Sequence, residues 1–338
     1  MVSIQNNHKK NLTRLSFLAI IIVYFASPFL LSEYLLYLVV LMSVMIIVAE
    51  GLNVMIGFAG LFSFGQPGFM AFGAYIGAIL AVHFKWIPFP LIMLMAGSAT
   101  AVLGLIIGFP CLRLSGFYLA MATFGFSSAI FQLINYAKPF TGGYEGMYAP
   151  SPSLGSLHFG STRAIFYITA VCVVCVLVVV RFLAGSRTGR AWKAIRDDEI
   201  AASSMGIELR REKLKVFAFG AFLAGIAGVL YSYTIRYLET SYFDQMGLPL
   251  FLILVLGGIG EVYGPVYGSI FMTILPQIMG GKFSQNMSLV YGFTLVIFVL
   301  LAPHGFYGIW YRIKKTVPAG FNIRAYLFKK ESQRGNKD

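Results

Sequence analysis

Four histidines, three cysteines and thirteen acidic residues are the chain's supply of groups for acid–base, nucleophilic or metal chemistry. Their placement points away from catalysis. His8, His83, His158 and His304 are scattered and form no metal or nucleophile constellation. Cys172 and Cys175 have the spacing of a metal motif, but within VCVVCVLVVV they read as lipid-facing or packing residues. With Cys111 also in or beside an apolar run, no disulfide framework is implied and no metal is expected. No GxxxxGK[ST] phosphate loop occurs, so any ATP chemistry must be supplied by another chain. Two places remain. Glu50 is an ionisable residue within an apolar run, a functional hypothesis by default: it can bind a substrate ammonium, carry a proton, pair with Arg113 or reach the interface. Residues 186–215 hold thirteen of the 39 charged residues, eight basic and five acidic.

That polar island has local order written into it. Thr188 can cap a short helix carrying Trp192 and Ile195; Asp197 can cap a second, with Asp198 and Glu199 favourable in its first turn and Gly206 able to end it. Exposed Trp192, Ile195, Ile200 and Met205 would make the pair a docking surface for another protein. The competing reading is a solvated loop whose basic residues serve only topology.

The elements around the island are built for lipid. The 338 residues are 58% hydrophobic and 12% charged, which makes this an all-α integral membrane protein. At about 20 residues per span, roughly ten transmembrane helices fit, some of them broken or short. The formal charge of +13 suggests nucleic acid, but its location does not. Three basic residues lie in the N-terminal tail, eight in the island and eight after Tyr311, marking these segments as cytoplasmic by the positive-inside rule. The expected organisation is a cytoplasmic tail at 1–14, a polytopic domain at 15–311 and a basic tail at 312–338.

Along the chain, spans are expected at 15–31, 35–56, 88–109, 113–135, 164–183, 216–236 and 289–301. Residues 51–77 carry glycines at 51, 57, 60, 65, 68, 73 and 77, with Gln66-Pro67 interrupting the middle. This predicts a broken helix buried in the bundle beside a translocation path, the plainer alternative for each glycine being small-residue packing. The stretch 247–279 is too long for one helix and is broken by glycines and Pro265, so two short spans are expected to meet at an inner turn near Glu261. Thr123, Ser127, Ser128 and Gln132 mix with aromatics on one span, suiting a helix that looks partly into a polar cavity, though hydroxyls bonding back to their own helix are the commoner explanation. The loop at 136–163, with few charges, is placed outside.

Four stretches in this order resemble the membrane permeases of branched-chain amino acid ABC importers, particularly the LivM type: GLNVMIGFAGLFSFGQPGFMAFGAY; LRLSGFYLAMATFGF with TGGYEG; SRTGRAWKAIRDDEIAASSMGI; and LVLGGIGEVYGPVYG with APHGFYGIW. The resemblance spans about residues 50–310, and Glu50 has no counterpart in the family pattern. It implies a second homologous permease of the LivH type, two cytoplasmic ATPase subunits that hold the ATP and magnesium, an extracytoplasmic substrate-binding protein, and residence in a bacterial or archaeal inner membrane with both termini cytoplasmic. No cofactor is expected in this chain. By the same resemblance the island contains the coupling helix, with Gly189, Arg196, Asp197, Asp198, Glu199, Ala201, Ala202 and Gly206 as its working positions. Glu50, Ser63, Gln66, Thr123 and Ser127 are the residues expected along the path. Urea, short amides or another small polar solute are rival cargoes within the same architecture. A stand-alone secondary transporter would need buried charge pairs and an inverted repeat, and a passive channel has no reason to carry a docking island.

Overall fold

The computed structural model describes residues 24–154, 157–279, 286–301 and 305. Both tails, most of the expected first span and most of the APHGFYGIW motif lie outside the described residues.

After helical residues 24–30, α1 (Glu33–Leu52) starts at Ser32, whose hydroxyl accepts from Leu35 N, and runs without interruption into a π-helical segment, Asn53–Phe58. The non-helical stretch 60–65 breaks the chain before α2 (Gln66–His83). The break therefore lies upstream of Gln66-Pro67, and the expectation of a proline interruption within a helix is corrected. Pro67 occupies the first turn of α2, where its missing N–H costs no intrahelical bond.

Next come α3 (Phe89–Cys111), α4 (Gly116–Tyr136) and α5 (Thr162–Gly185). The island forms α6 (Arg187–Asp197) and α7 (Glu199–Ser204), and α8 (Leu209–Ile235) returns through the bundle. The chain closes with α9 (Gly247–Gly257), α10 (Gly264–Met279) and α11 (Met287–Leu301). Among the described residues six stretches are long and apolar enough to cross a membrane: Glu33–Phe58, Phe89–Cys111, Gly116–Tyr136, Thr162–Gly185, Leu209–Ile235 and Thr240–Gly257. The other helices are shorter or, like α2 with Gln66 and His83 at its ends, more polar.

At 27 residues, α8 is the axis of the molecule, packing against α1, α2 and α3. Glycine permits this approach. A Cβ on Gly228 would collide with Met70 O of α2, one on Gly73 would collide with Gly225, and one on Gly104 would lie 2.6 Å from the Ala221 Cβ. Small residues at such crossings bring backbones into van der Waals contact, the main attraction between helices whose surroundings are as apolar as their side chains. α5 instead covers the outer side of α1 through Ile165, Phe166 and Ala170 against Leu36 and Val40.

The connections sort to two ends. Opposite the island, Met147–Tyr148 pairs antiparallel with Tyr237–Leu238, and Thr240 donates to Asn135 Oδ1 at 2.9 Å. At the island end, α9 and α10 meet through the turn 258–263, with Gly258 and Gly260 at φ 115° and 83°. The expected turn near Glu261 is thus present, at the same end of the bundle as the island.

Candidate functional site: the island and the two broken elements

The first island helix begins when Ser186 Oγ accepts from Gly189 N at 3.1 Å. The second begins at Asp198, whose Oδ1 accepts from Ile200 N and Ala201 N at 2.8 and 3.0 Å. Both caps differ from the expected Thr188 and Asp197. Ser186 and Asp198 hold the extended backbone a cap requires, whereas Thr188 and Asp197 lie inside the first helix. Gly206, at φ 81°, ends α7 as expected, and Ile207 N donates to Ala202 O across it.

Trp192 and Ile195 are each only 2% exposed, which corrects the expectation that they face outward. The amphipathic α6 turns them into the bundle. Trp192 Nε1 donates to Glu212 Oε2 at 2.9 Å, and that carboxylate also takes Lys215 at 2.6 Å. Gly189 is a packing residue, since a Cβ there would strike Leu183 O. The outward apolar groups are Ile200 and Met205, at 79% and 85% exposure. Ala202 faces inward and Ala201 outward on the same turn. Glu199 accepts from buried Lys213 at 2.6 and 2.7 Å, fastening α7 to α8.

One island residue reaches both broken elements. Arg196 Nη1 donates to Gly57 O, near the carbonyl end of the π segment, at 2.7 Å, while Nε and Nη2 hold Asp197 Oδ1 at 3.1 Å. Its side chain runs beside Gly60 and Gly260, where an added Cβ would lie 2.9 and 3.0 Å from it. Lys193 follows, with Nζ 5.5 Å from the centre of the Phe58 ring. A π turn leaves carbonyls out of the regular ladder, and a guanidinium is suited to collect one.

Asn53 completes the connection and was not singled out as a site from sequence. Its Oδ1 accepts from Gly260 N at 2.9 Å and its Nδ2 donates to Glu261 O at 2.9 Å, so a single amide ties the π segment to the α9–α10 turn. The available signal was a lone amide in an apolar helix, one turn beyond Glu50. Glu50 itself is fully buried and receives a long hydrogen bond from Asn53 Nδ2 at 3.5 Å. It forms no ion pair with Arg113, one of the outcomes weighed for it. Glu261 lies in the turn, where burial raises its carboxyl pKa and Lys193 partly opposes the shift.

Three of the expected path residues come together at the break. Phe64 N donates to Thr123 Oγ1 at 3.0 Å, and Thr123 Oγ1 in turn bonds to Leu119 O at 2.9 Å. Ser127 Oγ accepts from Gly68 N at 3.2 Å and donates to Phe64 O at 3.1 Å, while Ser63 Oγ accepts from Gly65 N at 3.2 Å. Gln66 turns the other way, its Nε2 3.4 Å from Gly220 O on α8. All four are buried, and the hydroxyls of α4 supply the partners that the unwound backbone lacks. Phe62 and Phe64 are exposed from the same stretch, as are Phe117, Tyr118 and Phe124 on α4.

A bundle of apolar helices with two broken elements, and a polar helical loop hooked onto both breaks, defines a multi-pass membrane transport component. Residues 34–302 match the family described as branched-chain amino acid transport system / permease component, and the chain belongs to that family. It is 32% identical to the high-affinity branched-chain amino acid transport system permease protein LivM of Escherichia coli (strain K12), over 86% of this chain and 74% of the relative. It is 31% identical to the LivH permease protein of the same system and strain, over 43% of this chain and 46% of that one. The corresponding BraD protein of Pseudomonas aeruginosa is 25% identical over 78% of this chain and 91% of its own length. No solved structure matches the chain.

Proposed function

We propose that the chain is the LivM-type permease subunit of an ATP-driven importer of branched-chain or related amino acids in a prokaryotic inner membrane. In this assignment it pairs with a LivH-type permease, receives cargo from an extracytoplasmic binding protein, and is driven by two cytoplasmic ATPase subunits that hold ATP and magnesium. Within a chain of this family, the observation that carries the assignment is the contrast in the island. Trp192, Ile195 and Arg196 anchor it inward while Ile200 and Met205 stand free on its outer turn. A topology loop has no need of such an arrangement, and a helix that must be pushed does.

The transport cycle proposed here uses Arg196 as the hook. Closure of the ATPases on ATP displaces α7 and α6. Arg196 carries the movement to Gly57, and Asn53 passes it to the turn at Gly260, so both broken elements shift together. The path lies where the 60–65 stretch and α4 meet the partner permease. Glu50, Ser63, Gln66, Thr123 and Ser127 belong to it as the buried polar frame that the shift exposes.

The test is copurification of the tagged chain in detergent, followed by ATPase measurement with the binding protein and leucine, urea or a short amide. An ATPase that copurifies and is stimulated by leucine-loaded binding protein supports the assignment. Stimulation by urea or an amide alone moves the cargo within the same architecture, and a chain that transports in liposomes without an ATPase overturns the importer.

A further inference from the structure

At the island end of the bundle, on its flank, α3, α7, α8 and the segment leading into α4 line an open cavity of about 330 Å³ bordered by Phe109, Arg113, Glu199, Leu209, Arg210 and Lys213, with both arginines exposed. Three cations face one carboxylate there. Lys213 and Glu199 neutralise each other through the paired contacts at 2.6 and 2.7 Å. The two guanidiniums remain. Arg210 lies over Phe109, its Cζ 4.6 Å from the ring centre, and neither it nor Arg113 has a hydrogen-bond or ion-pair partner among the described residues.

Two unpaired guanidiniums bordering one cavity suit a phosphate, which arginine binds through two parallel hydrogen bonds. The surroundings say which phosphate. Val102, Leu105, Ile106 and Phe109 on α3 are exposed and apolar. The cavity therefore sits between a hydrocarbon-facing wall and the segment where the basic residues gather, the depth of lipid headgroups. We propose that this cavity binds the phosphate of an anionic phospholipid, with the acyl chains lying along the exposed face of α3. A soluble phosphate ester shares the headgroup chemistry but would gain nothing from that wall. Because Glu199 and Lys213 border the cavity, the lipid would steady the joint between α7 and α8.

The experiment takes the intact purified complex, equilibrated with vesicles of phosphatidylglycerol or of phosphatidylcholine, and measures retained lipid by native mass spectrometry after detergent exchange. The wild-type complex should retain phosphatidylglycerol at least tenfold better than the Arg113→Ala/Arg210→Ala variant, with phosphatidylcholine retention equal in the two. Glycerol phosphate in excess should not displace the lipid. Equal phosphatidylglycerol retention by both proteins overturns the proposal, as does displacement by glycerol phosphate, which would assign the site to a soluble ester. Loss of a copurifying subunit with retained lipid also overturns it, showing that a partner's acid occupies the cations. If the double alanine variant does not fold, Arg113→Lys/Arg210→Lys keeps the charge and loses the fork geometry. Retention should then fall several-fold, and unchanged retention counts against the site equally.

Discussion

Among the described residues, Arg196 makes the one hydrogen bond from the island to the carbonyl end of the π segment. A hydrogen bond from a charged donor contributes about 1.5–3 kcal/mol, and the partial exposure of this side chain places it near the lower figure. Arg196→Ala is therefore expected to leave assembly and basal ATPase activity intact and to lower cargo-stimulated activity about tenfold. A transport-to-hydrolysis ratio equal to wild type would remove Arg196 from the coupling route. Asn53 is a different case: removing its amide leaves the half-buried Gly260 N–H without its acceptor, while Glu261 O keeps its bond from Gly264 N, a loss of about 1–2 kcal/mol in all. Asn53→Leu should lower the thermal midpoint in detergent by several degrees, with unchanged melting speaking against the tie. At Glu261 the raised pKa sets a sign: the folded chain holds its proton at pH values where the unfolded chain has released it. Stability at this turn accordingly falls as pH rises from the ordinary carboxyl value through the raised one. Glu261→Gln should flatten that slope, which melting curves across pH would reveal. At this scale sequence was a partial guide. Asp198 and Ser186 were hidden as caps beside equally good candidates, and Asn53 by the rule that a single buried amide is usually unremarked. Its two partners are more than two hundred residues away in the chain.

Among the elements, the island helices and the glycine crossings respond to substitution for opposite reasons. Gly206 has nothing within 4 Å of an added Cβ, so the obstacle there is its φ of 81°. A β-branched residue in that left-handed conformation costs about 1–2 kcal/mol, whereas asparagine tolerates it. Gly206→Val should weaken ATPase copurification while membrane insertion is unchanged, and Gly206→Asn should restore binding; indistinguishable Val and Asn variants would separate the turn from docking. Gly228 is obstructed instead by the backbone of α2 at Met70. Gly228→Ala is expected to cost about 1–3 kcal/mol by forcing α2 and α8 apart, while Gly125→Ala on α4, with open space around it, should be neutral or slightly stabilising. Yield and melting temperature of the two variants make the comparison. Both broken elements were legible in the sequence because glycine and proline interrupt apolar runs too long or too irregular for one helix. The position of the first break was not. Pro67 marks the start of a helix as readily as its interruption, and only the neighbouring hydroxyls of Thr123 and Ser127 fix where the backbone unwinds. The outward placing of Trp192 and Ile195 failed because a charged helix was assumed to stand clear of the bundle. Its apolar stripe has a receiving surface on α5 and α8.

For the whole molecule, hydropathy was enough to establish an all-helical membrane protein, and the order of the motifs was enough to place it in its family. What hydropathy does not carry is which helix stands in the middle. α8 is no more apolar than its neighbours, and its central position follows from glycines that match glycines on α2 and α3. That arrangement has a consequence in time. The helices that α8 joins are complete by Cys111, yet α8 is not finished until Ile235. At ribosomal speeds of about 5–20 residues per second, the interval is on the order of ten seconds. Throughout it, the small-residue faces of α2 and α3 lie in the bilayer without the partner they were shaped for. A nascent chain stalled anywhere in that interval presents proteolytic surveillance with an assembly whose keystone has yet to be made.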